Sequence, residues 1–293
     1  MNYQQFVTNV RERLSLSLDC GMSVELHTTL KNNGKERIGL TISDKRTNIF
    51  PTIYLEEYYQ QFQKGNSIDA IVDNILQVYR EVKFEQVWQT NAIKAFPSIQ
   101  KKIAYKLIHA GKNKRLLEGM PFIPYLDLAI VFYVLFRVDE SGIATIPITN
   151  ELAHFWNTNA QELYHLAKNN AKELLPASFK PIHVVIEELM GRPYEEGMPA
   201  TDIMYILTNS LRTFGAASML YEEVLEQIAG QLGESFFILP SSIHELIIIP
   251  ESQSPSREHL SDMVIDVNET QTDIEEILSD HAYYYNHCTL TLC

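Results

Sequence analysis

Apolar residues at three- and four-residue spacing open the chain. Phe6, Val7, Val10, Leu14 and Leu18 predict a helix, and Gly21 stops it. The period then changes to two. In Met22–Leu30 and Arg37–Ser43, Val24, Leu26, Ile38, Leu40 and Ile42 alternate with polar residues, and Asn32-Asn33-Gly34 lies between the runs. Asn and Gly tolerate the positive φ that tight turns need, so these runs predict a hairpin. A helical pattern follows from Tyr54, breaks at Gly65-Asn66, and resumes through Ile68, Ile71, Val72, Ile75, Leu76 and Tyr79.

Two further stretches show the same order. Leu128–Val138 is apolar on both faces and predicts a central strand, with a buried helix as the alternative. Asp139–Gly142 predicts the turn, Ile143–Ile148 the return strand, and Thr149 or Asn150 the cap of a short helix. A longer helix is expected from a Thr158 cap to Leu175, where Pro176 ends the pattern. Beyond it, Ala216–Leu232 predicts a helix stopped by Gly233, and Ser235–Leu239 and Glu245–Ile249 predict strands around Pro240-Ser241-Ser242. A helix from about Ser256 to Val267 and a last hairpin from Ala282–Asn286 and Cys288–Leu292 complete the pattern.

Hairpins alternating with helices predict an α+β fold, an antiparallel or mixed sheet built from repeated hairpin-plus-helix units with helices packed on it. The expected organisation is a basic N-terminal region (1–118), a central hairpin-helix region (119–175), a linker-like segment (176–202) and an acidic C-terminal region (203–293). A single compact domain is the alternative. Within the linker-like segment, Gly191-Arg192-Pro193 and Glu195-Glu196-Gly197 carry the breaker residues.

Charge changes this picture most. Residues 1–118 carry 17 Lys/Arg against 12 Asp/Glu, and residues 119–293 carry 7 against 25, so that net +5 and net −18 make the overall −13. No acidic residue falls between Glu85 and Glu118, while Lys94, Lys101, Lys102, Lys106, Lys112, Lys114 and Arg115 do. Such asymmetry speaks of partners and long-range fields. The first twenty residues contain Arg11, Glu12 and Arg13 and no apolar run of signal-peptide length. Leu126 to Phe136 is too short an apolar stretch to span a bilayer. Three cysteines make no disulfide framework, so a cytoplasmic protein with reduced thiols and no membrane association is expected.

Candidate chemistry is sparse. Ser241, Ser242, His244 and Glu245 place hydroxyls, an imidazole and a carboxylate within five residues. Adjacent residues rarely achieve nucleophile–base geometry, and Pro-Ser-Ser also starts turns whose hydroxyls bond the local backbone. His281, His287, Cys288 and Cys293, with Asp280 beside them, lack the paired spacing of zinc ligands, so no metal is expected. Phosphate-cradling glycine motifs are absent, and no cofactor is expected. If Lys102–Ile108 is a strand, Lys102 and Lys106 share a face with Ala104, and Lys112, Lys114 and Arg115 follow in a loop. Together with Lys101 they could grip a phosphate-bearing partner, with Tyr105 or His109 for stacking. The alternatives are a lysine-protected strand edge or a patch that faces the acidic half of the chain.

Pro51–Glu56, Ile123–Tyr133 and Phe237–Glu245 together resemble an uncharacterised bacterial family, domain of unknown function 5688. Val267–Gln271 and Leu278–Asp280 fit the same pattern, and the weakest match is Pro176–Asp202. The order of elements is also similar, more distantly, to an uncharacterised family of spore-forming Gram-positive bacteria. Neither resemblance implies a reaction, a cofactor or catalytic residues; together they imply a bacterial cytosolic protein of one architecture.

The function expected is a non-enzymatic module that binds another protein through hairpin edges or its acidic surface. A hydrolase with a non-local site around Ser242 and His244 is one alternative. A nucleic-acid-associated or DNA-mimicking factor of a mobile element is the other, although net −13 opposes non-specific duplex binding.

Overall fold

The computed structural model describes residues 1–44, 52–80, 95–139, 142–191, 204–240 and 242–293. The chain is α+β and divides into two compact units, one of Met1–Lys31 and Lys35–Ile99, the other of Asn32–Gly34 and Gln100–Cys293.

The first unit begins with α1 (Tyr3–Ser17), capped by Asn2, whose side chain accepts from Gln5 N–H while Gln5 accepts in return from Asn2 N–H. That reciprocal box satisfies two otherwise orphaned donors. Strands β1 (Met22–Leu30) and β2 (Glu36–Asp44) form the expected hairpin, with Asn33 at φ +56° and Gly34 at +75° in its turn. Strand β3 (Ile53–Tyr54) pairs with β2, then α2 (Glu56–Gln63) ends before Gly65 at φ +104°. Residues 68–80 form α3, and α4 (Phe96–Ile99) closes the unit. Phe6, Val10 and Leu14 of α1, Leu40 and Ile42 of β2, and Ile71 and Ile75 of α3 are buried together. Each such side chain contributes about 1.5–3 kcal/mol by leaving water.

The second unit starts with β4 (Ile103–His109), α5 (Lys114–Leu117) and β5 (Phe122–Tyr125). The central strand is β6 (Leu128–Asp139), which pairs antiparallel with β4, β5 and β7 (Gly142–Pro147). Its residues Leu128 to Val134 are each at most 3% exposed, as a strand apolar on both faces requires. Helices α6 (Asn150–Phe155) and α7 (Ala160–Leu174) follow, capped by Thr149 and Asn159. Asn170 of α7 ties the helix to β4 by donating to Ile103 O at 2.9 Å.

Next come β8 (Ala177–Pro181), α8 (Ile182–Met190), β9 (Tyr205–Asn209) and α9 (Val224–Leu232). After β10 (Phe236–Leu239), β11 (Leu246–Pro250) and α10 (Arg257–Thr270), strands β12 (Tyr283–Asn286) and β13 (Thr291–Leu292) end the order. Six of these strands form one antiparallel sheet in the order β13-β12-β10-β11-β9-β8. Strand order differs in each of the three sheets.

Three sequence expectations differ from what is found. Segment 176–202, expected as linker, holds β8 bonded along its length to β9, followed by α8; its Gly-Arg-Pro and Glu-Glu-Gly signals fall on 191–197, of which only Gly191 is among the described residues. Ala216–Leu232 is not one helix. Gly215–Leu220 is a 3-10 turn, and Glu223 sits at φ +68° before α9 begins. Tertiary bonds decide this, since Ser218 Oγ donates to Thr208 O and Tyr221 OH to Leu175 O. Lys102 lies in a 3-10 turn ahead of β4, and Ala104 is fully buried with Tyr133, Leu135 and Leu175, so β4 is covered on both faces.

Among the described residues, no helix is long and apolar enough to cross a membrane, and no group of three or more His, Cys, Asp or Glu is disposed to hold a metal ion. Cys20, Cys288 and Cys293 are free and exposed.

Candidate functional site

In the second unit, the loop that follows β9 is folded around one side chain. Asn209, 2% exposed, accepts from Leu211 N–H at 3.0 Å and Thr213 N–H at 3.4 Å, and donates to Thr213 O at 2.8 Å. The loop holds Arg212 at φ +50° and Phe214 at +54°, conformations that residues other than Gly, Asn and Asp seldom adopt. Gly215 follows because its neighbours leave no room. A Cβ there would lie 2.5 Å from His244 O and 2.7 Å from Asn209 N, and nearest of all to Thr208 Oγ1.

His244 fastens this loop. Its Nδ1 accepts from Phe214 N–H at 3.2 Å, its ring stacks on Phe214, and its carbonyl accepts from Thr208 Oγ1 at 2.8 Å. Its Nε2 lies 3.8 Å from Glu276 Oε1. Burial lowers the His244 pKa, and Lys106 adds to this while Glu276 opposes it. Burial, then Glu276, raises that of Glu245, against Ser242 and Arg212. Ser242 Oγ accepts from His244 N–H at 3.0 Å, which makes it a turn-stabilising hydroxyl rather than a partner of the imidazole. Ser241 lies outside the described residues, as does Lys94.

The basic residues do not form one patch. Lys106 is partly buried, with Nζ 4.3 Å from the centroid of Phe214. Lys112 Nζ lies 3.5 Å from Asp280 Oδ2, an acidic-half carboxylate. Lys101 and Lys102 are exposed in the turn before β4, and Lys114 and Arg115 are exposed on α5.

A second constellation surrounds Asp127, in the two-residue connection between β5 and β6. Tyr283 OH donates to Asp127 Oδ1 at 2.5 Å and Ser279 Oγ to Oδ2 at 2.8 Å. Two imidazoles flank the carboxylate, His109 Nε2 at 3.8 Å from Oδ2 and His281 Nε2 at 3.8 Å from Oδ1. His109 Nδ1 accepts from Lys112 N–H at 3.2 Å, which leaves the ring proton of the neutral form on Nε2, facing Asp127. Burial lowers the His109 pKa against the pull of Asp127. Burial alone would raise Asp280, but His281, Lys112 and His109 hold it below its ordinary value. Tyr283 is pushed upward, by burial first and then by its bond to Asp127, so it stays a neutral donor.

Hydroxyl, imidazole and carboxylate therefore meet here, but not in nucleophile order. Ser279 is fully buried and donates its hydroxyl hydrogen bond to the carboxylate, with His281 Nδ1 farther off at 3.3 Å from the same Oγ. Its backbone is held too, since Asn268 Nδ2 donates to Ser279 O at 2.8 Å and Ser279 N–H to Pro240 O at 2.9 Å. Sequence reasoning missed this constellation as a site. The available signal was that Asp127, Asn268, Ser279 and Pro240 each lie in one of the sequence blocks that carry the family resemblance.

What these features define is an α+β protein whose polar clusters bind loops to one another. The chain belongs to the family of unknown function DUF5688, which matches residues 3–287. No curated protein and no solved structure matches the chain.

Proposed function

We propose that this chain is a non-catalytic protein-binding module of the bacterial cytoplasm. The observation that carries this reading is the use made of Ser242 and His244. Both accept hydrogen bonds from backbone N–H groups, and so fix a loop in place of forming a nucleophile and its base. Ser279 supports the same view, because a hydroxyl with no exposure meets no substrate. The partner is a protein that meets either the acidic surface or the exposed cations Lys101, Lys102 and Lys114.

The test is affinity capture from bacterial lysate with the intact chain and with a variant carrying Lys101→Glu, Lys102→Glu and Lys114→Glu. Lys106 and Lys112 stay unchanged because they contact Phe214 and Asp280. A protein retained by both forms, and rebound when purified, places recognition on the acidic surface. One lost with the variant places it on the cations. Capture of nucleic acid alone overturns the reading in favour of a nucleic-acid factor. Hydrolytic turnover abolished by His244→Ala, with the fold intact, overturns it in favour of a hydrolase.

A further inference from the structure

The stretch Asn32-Asn33-Gly34 groups with the second unit and is bonded there through its amides. Asn33 Nδ2 donates to Ile274 O and to Ile277 O, both at 2.7 Å. Its Oδ1 accepts from Asn113 Nδ2 at 3.0 Å, and its backbone N–H donates to Asn113 Oδ1 at 2.8 Å. Asn32 Nδ2 donates to Glu275 O at 2.7 Å, and Asn113, 2% exposed, donates to Asn32 Oδ1 and His109 O as well. The carbonyls at 274 and 277 fix which end of the Asn33 amide is nitrogen.

Asn33 and Gly34 are also the one Asn-Gly pair in the chain, and that pair has an intrinsic chemical weakness. The Gly34 nitrogen can attack Cγ of Asn33 and form a C–N bond that closes a succinimide ring. The Cγ–Nδ2 bond breaks, and Nδ2 leaves as ammonia with the proton of the Gly34 N–H. Water then opens the ring at either carbonyl, leaving an aspartate or an isoaspartate. Glycine allows the approach best because it has no Cβ to obstruct it. Closure requires Cγ of Asn33 to swing onto the following peptide nitrogen. The side chain cannot do so while its own nitrogen is tied to Ile274 and Ile277.

We propose that Asn33 is a site of spontaneous deamidation that the fold keeps closed, and that the reaction makes an opening of its clamp on 274–277 permanent. The product is a carboxylate, which only accepts hydrogen bonds. Where Nδ2 donated twice, an anion would face the carbonyl oxygens of Ile274 and Ile277, in a segment that already carries Asp273, Glu275 and Glu276. Both contacts turn from attraction to repulsion. A clamp that stays open long enough to react therefore does not re-form. The inference is independent of what the chain binds.

Mass mapping of the peptide that spans position 33 tests it, on the full chain incubated in mild alkali. Protein unfolded in guanidinium is expected to convert at least about tenfold faster than native protein, because native protein must first open the clamp. Asn113→Ala removes two of the bonds to Asn33 and leaves the carbonyl contacts, so its native form should convert faster than the wild type. Asn33→Asp supplies the product directly, and should fold with faster hydrogen exchange over 273–277 than the wild type. Native protein that converts as fast as unfolded protein overturns the inference, and so does an unfolded chain that does not convert. Folded Asn33→Asp protein with wild-type exchange over 273–277 overturns the permanent release.

Discussion

The imidazole of His244 lies nearly parallel to the ring of Phe214, 15° apart in plane and 5.7 Å between centroids, while its Nδ1 accepts from the N–H of that same residue. Stacking and hydrogen bond together hold Phe214 at its positive φ. The bond exists only while Nδ1 carries no proton.

Stability should therefore fall on acidification. The pKa of His244 is lowered by burial from its ordinary 6.5, and that of His109 is lowered for the same first reason. Between the lowered folded values and 6.5 the unfolded chain binds more protons, so stability is full above 6.5 and lost as pH falls below it. Urea midpoints should drop between about pH 7.5 and pH 5.5. His244→Gln should flatten part of that slope, and a wild-type midpoint constant over the range would contradict the assignment.

Gly215→Ala tests the closeness of the loop to its neighbours. The added methyl group meets Thr208 Oγ1, His244 O and Asn209 N, two of which are backbone atoms that cannot rotate away. A loss of about 2 kcal/mol or more in denaturant unfolding is expected. Unchanged stability would mean that the loop is looser than described.

Asp127→Asn should cost about 2–4 kcal/mol, because it removes the charge that receives two hydroxyl donors. Tyr283→Phe alone should cost about 1.5–3 kcal/mol. A double-mutant cycle should give a coupling of at least about 1 kcal/mol, since one change removes the charge and the other the donor of the same charge-assisted bond. Additive losses would argue that the pair is not coupled.

Val131→Asp should abolish cooperative unfolding. Val131 has no exposure on the central strand, and a buried carboxylate with no partner is among the costliest substitutions. Soluble protein with a sharp transition would contradict the placement of β6.

How much of this was legible follows from the range of each interaction. β6 announced itself by being apolar on both faces, and the β1–β2 turn by Asn33 and Gly34, whose chemistry is local. The break at Glu223 was not visible, because Ser218 and Tyr221 are drawn to Thr208 and Leu175, and such contacts leave no period in the sequence. Nor was the pairing of Asp127 with Tyr283, which lie 156 positions apart. His244 could be singled out as a polar residue in a turn. Its task of holding Phe214 depends on a loop that begins thirty-five positions earlier, at Asn209.

Strand β12 sits inside its sheet, between β13 and β10, and its first residue is the tyrosine that Asp127 requires. During synthesis, Asp127 therefore emerges long before its partner exists. Until Tyr283 has left the ribosome, β10 lacks one neighbour and the carboxylate lacks its shortest bond. A cut upstream of Tyr283 therefore removes an interior strand of the sheet and a hydroxyl donor to Asp127 together, and not merely the edge of the unit.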